Sequence, residues 1–375
     1  MPRMIPIEKQ NQTQDRRSEV LSLPIPITGA VRTSGDGCVV DTRGRPLTDL
    51  RISVTDHCNF RCRYCMPKEK YGAHAKFLAH TELLTFEEIF RLSRLFVGMG
   101  VKKLRLTGGE PLLRKHLDEL VARLKTLTTR EGTPVEVALT TNAALLARFA
   151  PALKAAGLDR VTVSLDALTE ELFQSINDVG FPVSGVLAGI RAARAAGLPV
   201  KVNTVLKRGM NEAEILPLAR AFRGTGITLR FIEYMDAGTA NGWRMDEVIP
   251  SREAAAIIGN VFPLEPVDTA YRGETASRMR YLDGAGEVGF ISSVTEAFCR
   301  DCTRARLSVE GGLFLCLFAD RGYDIRTMLR GGATDEEIRL AVGRIWSARA
   351  DHYSEIRQQG TEHSRARVEM QYIGG

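Results

Sequence analysis

Between residue 51 and about residue 260 the chain repeats one pattern six times: a short apolar run, then a stretch with apolar residues at helical spacing. The runs are RISV (51–54), KKLRLT (102–107), VEVALT (135–140), RVTVSL (160–165), PVKVNTV (199–205) and ITLRFIE (227–233). Each is leucine-rich or β-branched and continuous enough to be covered on both faces, as strands of a parallel sheet are. The segments TFEEIFRLSRLFVGMG (85–100), AALLARFAPALKAAG (143–157) and VLAGIRAARAAG (186–197) each close on a glycine just before the next run, and 251–259 supplies the sixth helix. Such units require parallel strands with right-handed crossovers. Six are too few for a closed eight-fold barrel. The expected fold is therefore α/β, a partial (βα)6 TIM-like barrel over residues 36–264, in preference to a doubly wound sheet. From about 265 the alternation is lost, and residues 265–375 read as a separate covering region with a helical stretch at 334–349. Residues 1–35 read as a flexible polar lead-in.

A chain of 375 residues has ample length for such a core. It contains no uninterrupted run of about 18 apolar residues to span a membrane. Its first twenty residues lack the apolar centre of a secretion signal, so a cytoplasmic location is expected. The net charge of +6 allows an anionic partner, either nucleic acid or a phosphorylated small molecule. No lysine follows Lys207, so the positive charge of the second half is arginine. Arginine suits bidentate phosphate binding, and the base composition of the source genome explains the bias equally well. Without a dense Lys/Arg run interleaved with aromatics, neither nucleic acid nor membrane is an expected partner.

The cysteines narrow the chemistry. Six of the seven fall into two tight groups, which in a reducing compartment points to metal rather than disulfides. Cys58, Cys62 and Cys65 have gaps of three and two residues and lie on a loop directly after the first run. A structural zinc site closes with four protein ligands, and an iron–sulfur cubane normally takes four thiolates. Three thiolates leave one iron of a cubane free to bind a small molecule; the alternative is zinc completed by His57 or a distant residue. Cys299, Cys302 and Cys316 have gaps of two and thirteen and again lack a close fourth. A second cluster with its own open iron is the economical reading, against a zinc ribbon completed from afar. Cys38 is left over as an ordinary thiol.

Two further features sit at strand ends, where function gathers in open barrels. RLTGGEP (105–111) puts bare glycine backbone and Glu110 after the second run, where Glu110 can accept a bond from an ammonium. Ser164 and Asp166 fall at the end of the fourth run, and Met235 just after the sixth. Arg304 and Arg306 alternate in an extended run beside the second cysteine group, so both point to one face, fit to hold an anion or simply to lie at a solvated edge.

The spacing C-x3-C-x2-C after a first strand, with an aromatic at Tyr64, resembles the radical S-adenosylmethionine enzymes, whose fold is a partial barrel. Their open iron binds the amino and carboxylate groups of S-adenosylmethionine, which is cleaved to a 5′-deoxyadenosyl radical. DLRISVTDHCNFRCRYCMPKE, LRLTGGEPLLR, VSLDAL, RFIEYMD, FCRDCTRARLS with Cys316 thirteen residues on, and the final YIGG tighten the resemblance. It becomes the branch of that family that cyclises GTP at the start of molybdenum cofactor biosynthesis, and it covers residues 40–375. The resemblance implies two [4Fe-4S] clusters, one on Cys58, Cys62 and Cys65 and an auxiliary one on Cys299, Cys302 and Cys316. It implies that Tyr64, Gly109, Glu110, Ser164 and Met235 line the S-adenosylmethionine site. Arg51, Arg105, Thr140, Lys201, Arg304 and Arg306 would bind GTP, and Gly374 and Gly375 would reach into the active site with Arg304 and Arg306. The reaction implied is abstraction of the ribose 3′ hydrogen and ring closure onto purine carbon 8. A reductant of flavodoxin or ferredoxin type and the downstream cyclic pyranopterin monophosphate synthase are the expected partners of a monomer or homodimer. The rivals are a radical peptide-modifying enzyme and a zinc-stabilised nucleic-acid-binding protein. One departure is TTNA (140–143), where the family reads TTNG; Ala143 takes positive φ less cheaply than glycine.

Overall fold

The computed structural model describes residues 20–72, 74–357 and 367–374. Its strands are β1 (Asp49–Ser53), β2 (Lys103–Thr107), β3 (Glu136–Thr141), β4 (Arg160–Ser164), β5 (Val200–Leu206), β6 (Thr228–Glu233), β7 (Leu264–Val267), β8 (Ser277–Tyr281), β9 (Glu287–Ile291), β10 (Arg304–Leu307), β11 (Gly312–Phe314) and β12 (Tyr323–Asp324). All join one sheet in the order β12-β11-β10-β1-β2-β3-β4-β5-β6-β9-β8-β7. Every pairing from β10 through β1–β6 to β9 is parallel, and the outer pairings are antiparallel. Strands β1 to β6 stand in chain order, so each right-handed crossover moves the same way and lays its helix on the same face. A doubly wound sheet reverses direction, and this one does not.

The α/β class read from the six units holds, and the sheet is open, with β12 and β7 as its edges. It is also twice the expected width. Residues 265–324 extend the sheet on both sides, β9 beside β6 and β10 beside β1. These strands are joined by hairpins, with no helix between neighbours to carry the strand–helix period, which is why the alternation vanishes from the sequence while the sheet continues.

Side-chain alternation separates the two faces. Leu50, Ile52, Leu104, Leu106, Val137, Leu139, Val161, Val163, Val202, Leu229, Phe231, Ala305 and Leu307 are all buried in the main apolar core with the helices. The opposite face carries Asp49, Arg51, Lys103, Arg105, Thr140, Arg160, Asn203, Arg230, Arg304 and Arg306, all lining one cavity. Both faces are covered, as continuous runs suggested, but the inner one is covered while highly polar. The outer helices are locally specified. Phe86–Gly98 begins with a capping box in which Glu88 N donates to Thr85 Oγ1 at 3.2 Å and Thr85 N to Glu88 Oε2 at 2.8 Å. Thr334 and Glu337 repeat the device for Asp335–Ser347, inside the stretch read as helical.

The end of β6 is tied to β9 through Glu233, which is 2 % exposed. Its carboxylate accepts from Ser251 N and Val294 N at 2.8 Å, Thr295 N at 2.9 Å and Thr295 Oγ1 at 2.6 Å. Glu233→Ala strands several buried donors, each costing about 1–3 kcal/mol, and is expected to lower the thermal midpoint of unfolding by roughly 5–15 °C. A midpoint unchanged in calorimetry contradicts this role.

The stretch before β1 differs from a free lead-in. Val20 and Leu23 hydrogen-bond to Gly322, Arg32 N donates to Ser347 Oγ at 2.9 Å, and Asp41 and Arg45 form a fully buried ion pair at 2.5 Å. Edge pairing and a paired buried charge hold a segment whose composition alone suggests looseness. The remainder of the lead-in, residues 1–19, lies outside the described residues.

Candidate active site

Both cysteine groups face the same cavity, of about 320 Å³, on the polar face of the sheet. The first group leaves β1 in a loop shaped by backbone bonds, Cys65 N and Met66 N both donating to Cys62 O at 2.9 and 2.8 Å. Arg61 secures the loop by donating to the carbonyls of Cys58 and Phe60 at 2.8 Å and of Tyr71 at 2.6 Å. Burial pushes the Cys58 thiol up to about 11, and burial with neighbouring carboxylates and thiols raises Cys62 and Cys65 as well. Tyr64 Oη donates to Asp166 Oδ2 at 2.6 Å, and Val205 N donates to Asp166 Oδ1 at 2.8 Å. Asp166 thereby ties the cysteine loop to β4 and β5. Tyr64→Phe is expected to cost about 1.5–3 kcal/mol, the worth of a hydrogen bond to a charged group, read as a lower denaturant midpoint at unchanged slope.

The GGE turn fits against this loop with no spare room. Gly109 N donates to Thr55 O and Glu110 N to His57 O, both at 2.7 Å. A Cβ on Gly109 would collide with the His57 carbonyl, so glycine here serves close backbone approach. Glu110 is buried and accepts from Leu112 N at 3.0 Å, Thr141 Oγ1 at 2.7 Å and Asn142 N at 2.7 Å. Most of its acceptor capacity organises the turn after β3, and burial lifts its pKa to about 7. In that turn Ala143 has φ +63°, so the chain keeps the glycine conformation at a backbone cost of about 1–2 kcal/mol. Thr141 Oγ1 braces it, accepting from Ala143 N at 2.9 Å.

The second group sits across the cavity. Arg304 Nη2 and Arg349 Nη2 lie 3.4 and 3.3 Å from Cys302 Sγ. Burial opposes ionisation of this thiol, yet the two guanidiniums outweigh it and bring Cys302 down to about 6. Arg349 also donates to Cys302 O at 2.8 Å, while Arg45 donates to Cys299 O at 2.8 Å and Asp351 O at 2.7 Å. Cys316 is raised to about 12, by burial first and Asp351 second. Among the described residues, no three cysteine, histidine or carboxylate side chains converge closely enough for a single metal ion. A cubane spreads three thiolates over three irons. Two sets of three free, half-buried thiols, the second split between the turn before β10 and the end of β11, suit that donor set. Cys38 is a buried free thiol outside the cavity.

Between the groups lies a layer of positive charge. Arg51 pairs in register with Arg105 on one side and Arg306 on the other. Burial, then Arg306, Arg304 and Arg105, lower the Arg51 pKa, and its Nε is buried without a partner. Arg105 donates to Thr140 Oγ1 at 3.1 Å and Thr162 Oγ1 at 3.3 Å. Buried like charges are costly without counter-ions, so a layer of four guanidiniums, Arg51, Arg105, Arg304 and Arg306, beside Asp49 is chemically suited to a polyanion.

The structure brings Tyr64, Gly109, Glu110, Ser164, Met235, Arg51, Arg105, Thr140, Arg304, Arg306 and the six clustered cysteines to the lining of one cavity. Lys201 stands on β5 on the same polar face as Asn203 but outside the cavity lining, its pKa pushed down to about 8 by burial and then by Arg230 and Arg160. Gly374 reaches the arginine layer, its carbonyl accepting a hydrogen bond from Arg306 Nη1; Gly375 lies outside the described residues. Sequence reasoning missed Lys103, Arg160, Asn203 and Arg230 on the wall. Their signal was the period of two within each strand, as in Lys103-Leu104-Arg105. It also passed over the brace of Asp41 and Arg45 with Arg349, which stands 308 residues from Asp41 in the chain.

Residues 52–222 match the family described as Radical SAM superfamily, and residues 227–355 the one described as Molybdenum Cofactor Synthesis C. The chain is similar to a GTP 3′,8-cyclase of Acidothermus cellulolyticus, 49% identical over 89% of this chain and 98% of the relative. It is likewise similar to those of Xanthomonas campestris pv. campestris, 48% identical over 89% of this chain and 97% of the relative, and of Staphylococcus epidermidis, 44% over 90% and 99%. In fold it resembles the crystal structure of Streptococcus suis SuiB bound to S-adenosylmethionine, with a TM-score of 0.56, 14% identity, and coverage of 100% of this chain and 79% of that one. Among the described residues no helix is long and apolar enough to cross a membrane.

Proposed function

The chain belongs to the GTP 3′,8-cyclases of the radical S-adenosylmethionine superfamily, and on that premise we propose how its residues divide the work. The protein converts GTP to (8S)-3′,8-cyclo-7,8-dihydroguanosine 5′-triphosphate, the first step of molybdenum cofactor biosynthesis. Cys58, Cys62 and Cys65 hold one [4Fe-4S] cluster, and Cys299, Cys302 and Cys316 hold an auxiliary one. When bound, the first cluster with S-adenosylmethionine supplies the 5′-deoxyadenosyl radical that removes hydrogen from C3′ of GTP. The chain's own residues bind, orient and enclose. Tyr64, Gly109, Ser164 and Met235 form the cofactor wall, with Glu110 fixing the turn behind it. Arg51, Arg105, Arg304 and Arg306 hold the nucleotide, Lys201 reinforces the positive field, and Thr140 orients the Arg105 guanidinium.

The observation that carries this reading is the guanidinium layer between two sets of thiols in one cavity, an arrangement suited to GTP with a metal centre at each end. Neither rival accounts for it. A nucleic-acid surface is exposed rather than internal, and the extensive identity is to proteins that bear the cyclase name. A flavodoxin- or ferredoxin-type reductant, a cytoplasmic setting and hand-off to cyclic pyranopterin monophosphate synthase complete the proposal.

The test is anaerobic incubation with GTP, S-adenosylmethionine and a chemical reductant. The expected products are an isomer of GTP by mass spectrometry together with 5′-deoxyadenosine. 5′-Deoxyadenosine formed equally well without GTP points to another substrate.

A further inference from the structure

We propose that the segment around Val20–Leu23, far from the cavity in sequence, is a positioning element for the C-terminal tail that keeps Gly374 against Arg306. The proposal rests on the reading that this tail works inside the active site. Gly322 N donates to Val20 O at 2.8 Å, and Leu23 N donates to Gly322 O at 3.1 Å. Leu23 also bridges Tyr323 in parallel, adding one rung to the β12 edge of the sheet. These backbone bonds deliver Leu21 inward. It is 8% exposed and forms, with Phe314, Val368 and Ile373, a small apolar cluster separate from the main core. Gly312 leaves room for it, because a Cβ there would collide with Leu21 Cδ2.

Two of the four members of this cluster, Val368 and Ile373, belong to the tail. Tyr372 meets Phe314 edge-on at 6.2 Å, and Val368 N donates to Ala319 O at 3.1 Å. Ile373 is fully buried and directly precedes Gly374. Gly374 sits in the left-handed region at φ +71°, so close to Thr107 that a Cβ would strike Oγ1. The glycine has little freedom to shift without losing its Arg306 contact, and the anchor fixing its position is Ile373 packed with Leu21. The segment before β1 therefore acts on catalysis through the tail, Leu21 itself standing outside the residues that line the main cavity.

The test uses the full-length chain with Leu21→Ala, Leu21→Met, Leu23→Pro and Gly374→Ala. In protein without cofactors, Leu21→Ala is expected to raise hydrogen exchange of amides 368–374 by roughly 30-fold or more, as befits truncation of a buried leucine, with exchange in β1–β6 unchanged. In reconstituted enzyme, kcat for the cyclised product is expected to fall about 10- to 100-fold, the penalty of displacing a positioned group by an ångström. The rate of 5′-deoxyadenosine formation should hold, and Leu21→Met should restore coupling. Leu23→Pro, which deletes the bond to Gly322, should act as Leu21→Ala does. Unchanged exchange and coupling in both variants, with Gly374→Ala impaired, overturns the positioning role alone. Full turnover by Gly374→Ala overturns the tail reading, and this proposal with it.

Discussion

Cys62→Ala is expected to lose both reductive cleavage of S-adenosylmethionine and product formation, whereas Cys302→Ala keeps the cleavage and loses the product. The two thiols line opposite walls of one cavity but face different electrostatics. Cys62 is raised by burial, then by Asp166, Cys65 and Cys58. Cys302 is brought down to about 6 by Arg304 and Arg349 against the effect of burial. Metal loading requires thiolates, so Cys302 is primed for it, whereas Cys316 and the thiols of the first loop, all raised by burial, must release protons as the clusters form. With both sets filled, iron should be about eight per chain, four for each cubane, and each single variant should fall to about four. Zinc in either site, or cleavage that survives in Cys62→Ala, contradicts the assignment.

The sequence carried the outer half of the sheet more plainly than the inner. Helix ends were legible because Gly100, Gly157 and Gly197 adopt φ +120°, +93° and +76°, the left-handed closure that only glycine takes cheaply. Cysteine spacing was legible because the loop is local: Cys62 and Cys65 lie within one turn. The cavity wall was not, because Lys103, Arg160 and Arg230 interrupt runs whose apolar neighbours dominate any averaged pattern. Strands β9 and β10 pair with β6 and β1 across long stretches of chain, and no local signal encodes such partners. Ala143 shows the opposite case. The departure from glycine was visible, yet the surrounding bonds from Thr141 and Asn142 hold the same backbone. Tertiary context overrode a local preference there.

Arg306→Ala should move stability and binding in opposite directions. Without nucleotide, Arg306 is 4% exposed, and its pKa is lowered by burial and then by Arg304. Arg306 in turn lowers that of Arg51. Removing one guanidinium relieves repulsion among the other three, so the apoprotein should unfold at the same temperature or higher, despite the lost bond to the Gly374 carbonyl. With GTP seated as proposed the balance should reverse, because each guanidinium would then face phosphate or base. Truncating one partner of a buried charged contact costs about 2–5 kcal/mol, and GTP should bind roughly 30-fold to several thousandfold more weakly by calorimetric titration. Arg306→Lys keeps the charge but not the planar fork and should recover part of that affinity. Because Cys62 and its loop are untouched, 5′-deoxyadenosine should still form, uncoupled from cyclisation. Equal GTP affinity in the alanine variant would remove Arg306 from the nucleotide seat, and a large loss of apoprotein stability would mean that Asp49 and the Gly374 carbonyl already balance the arginine layer without any anion.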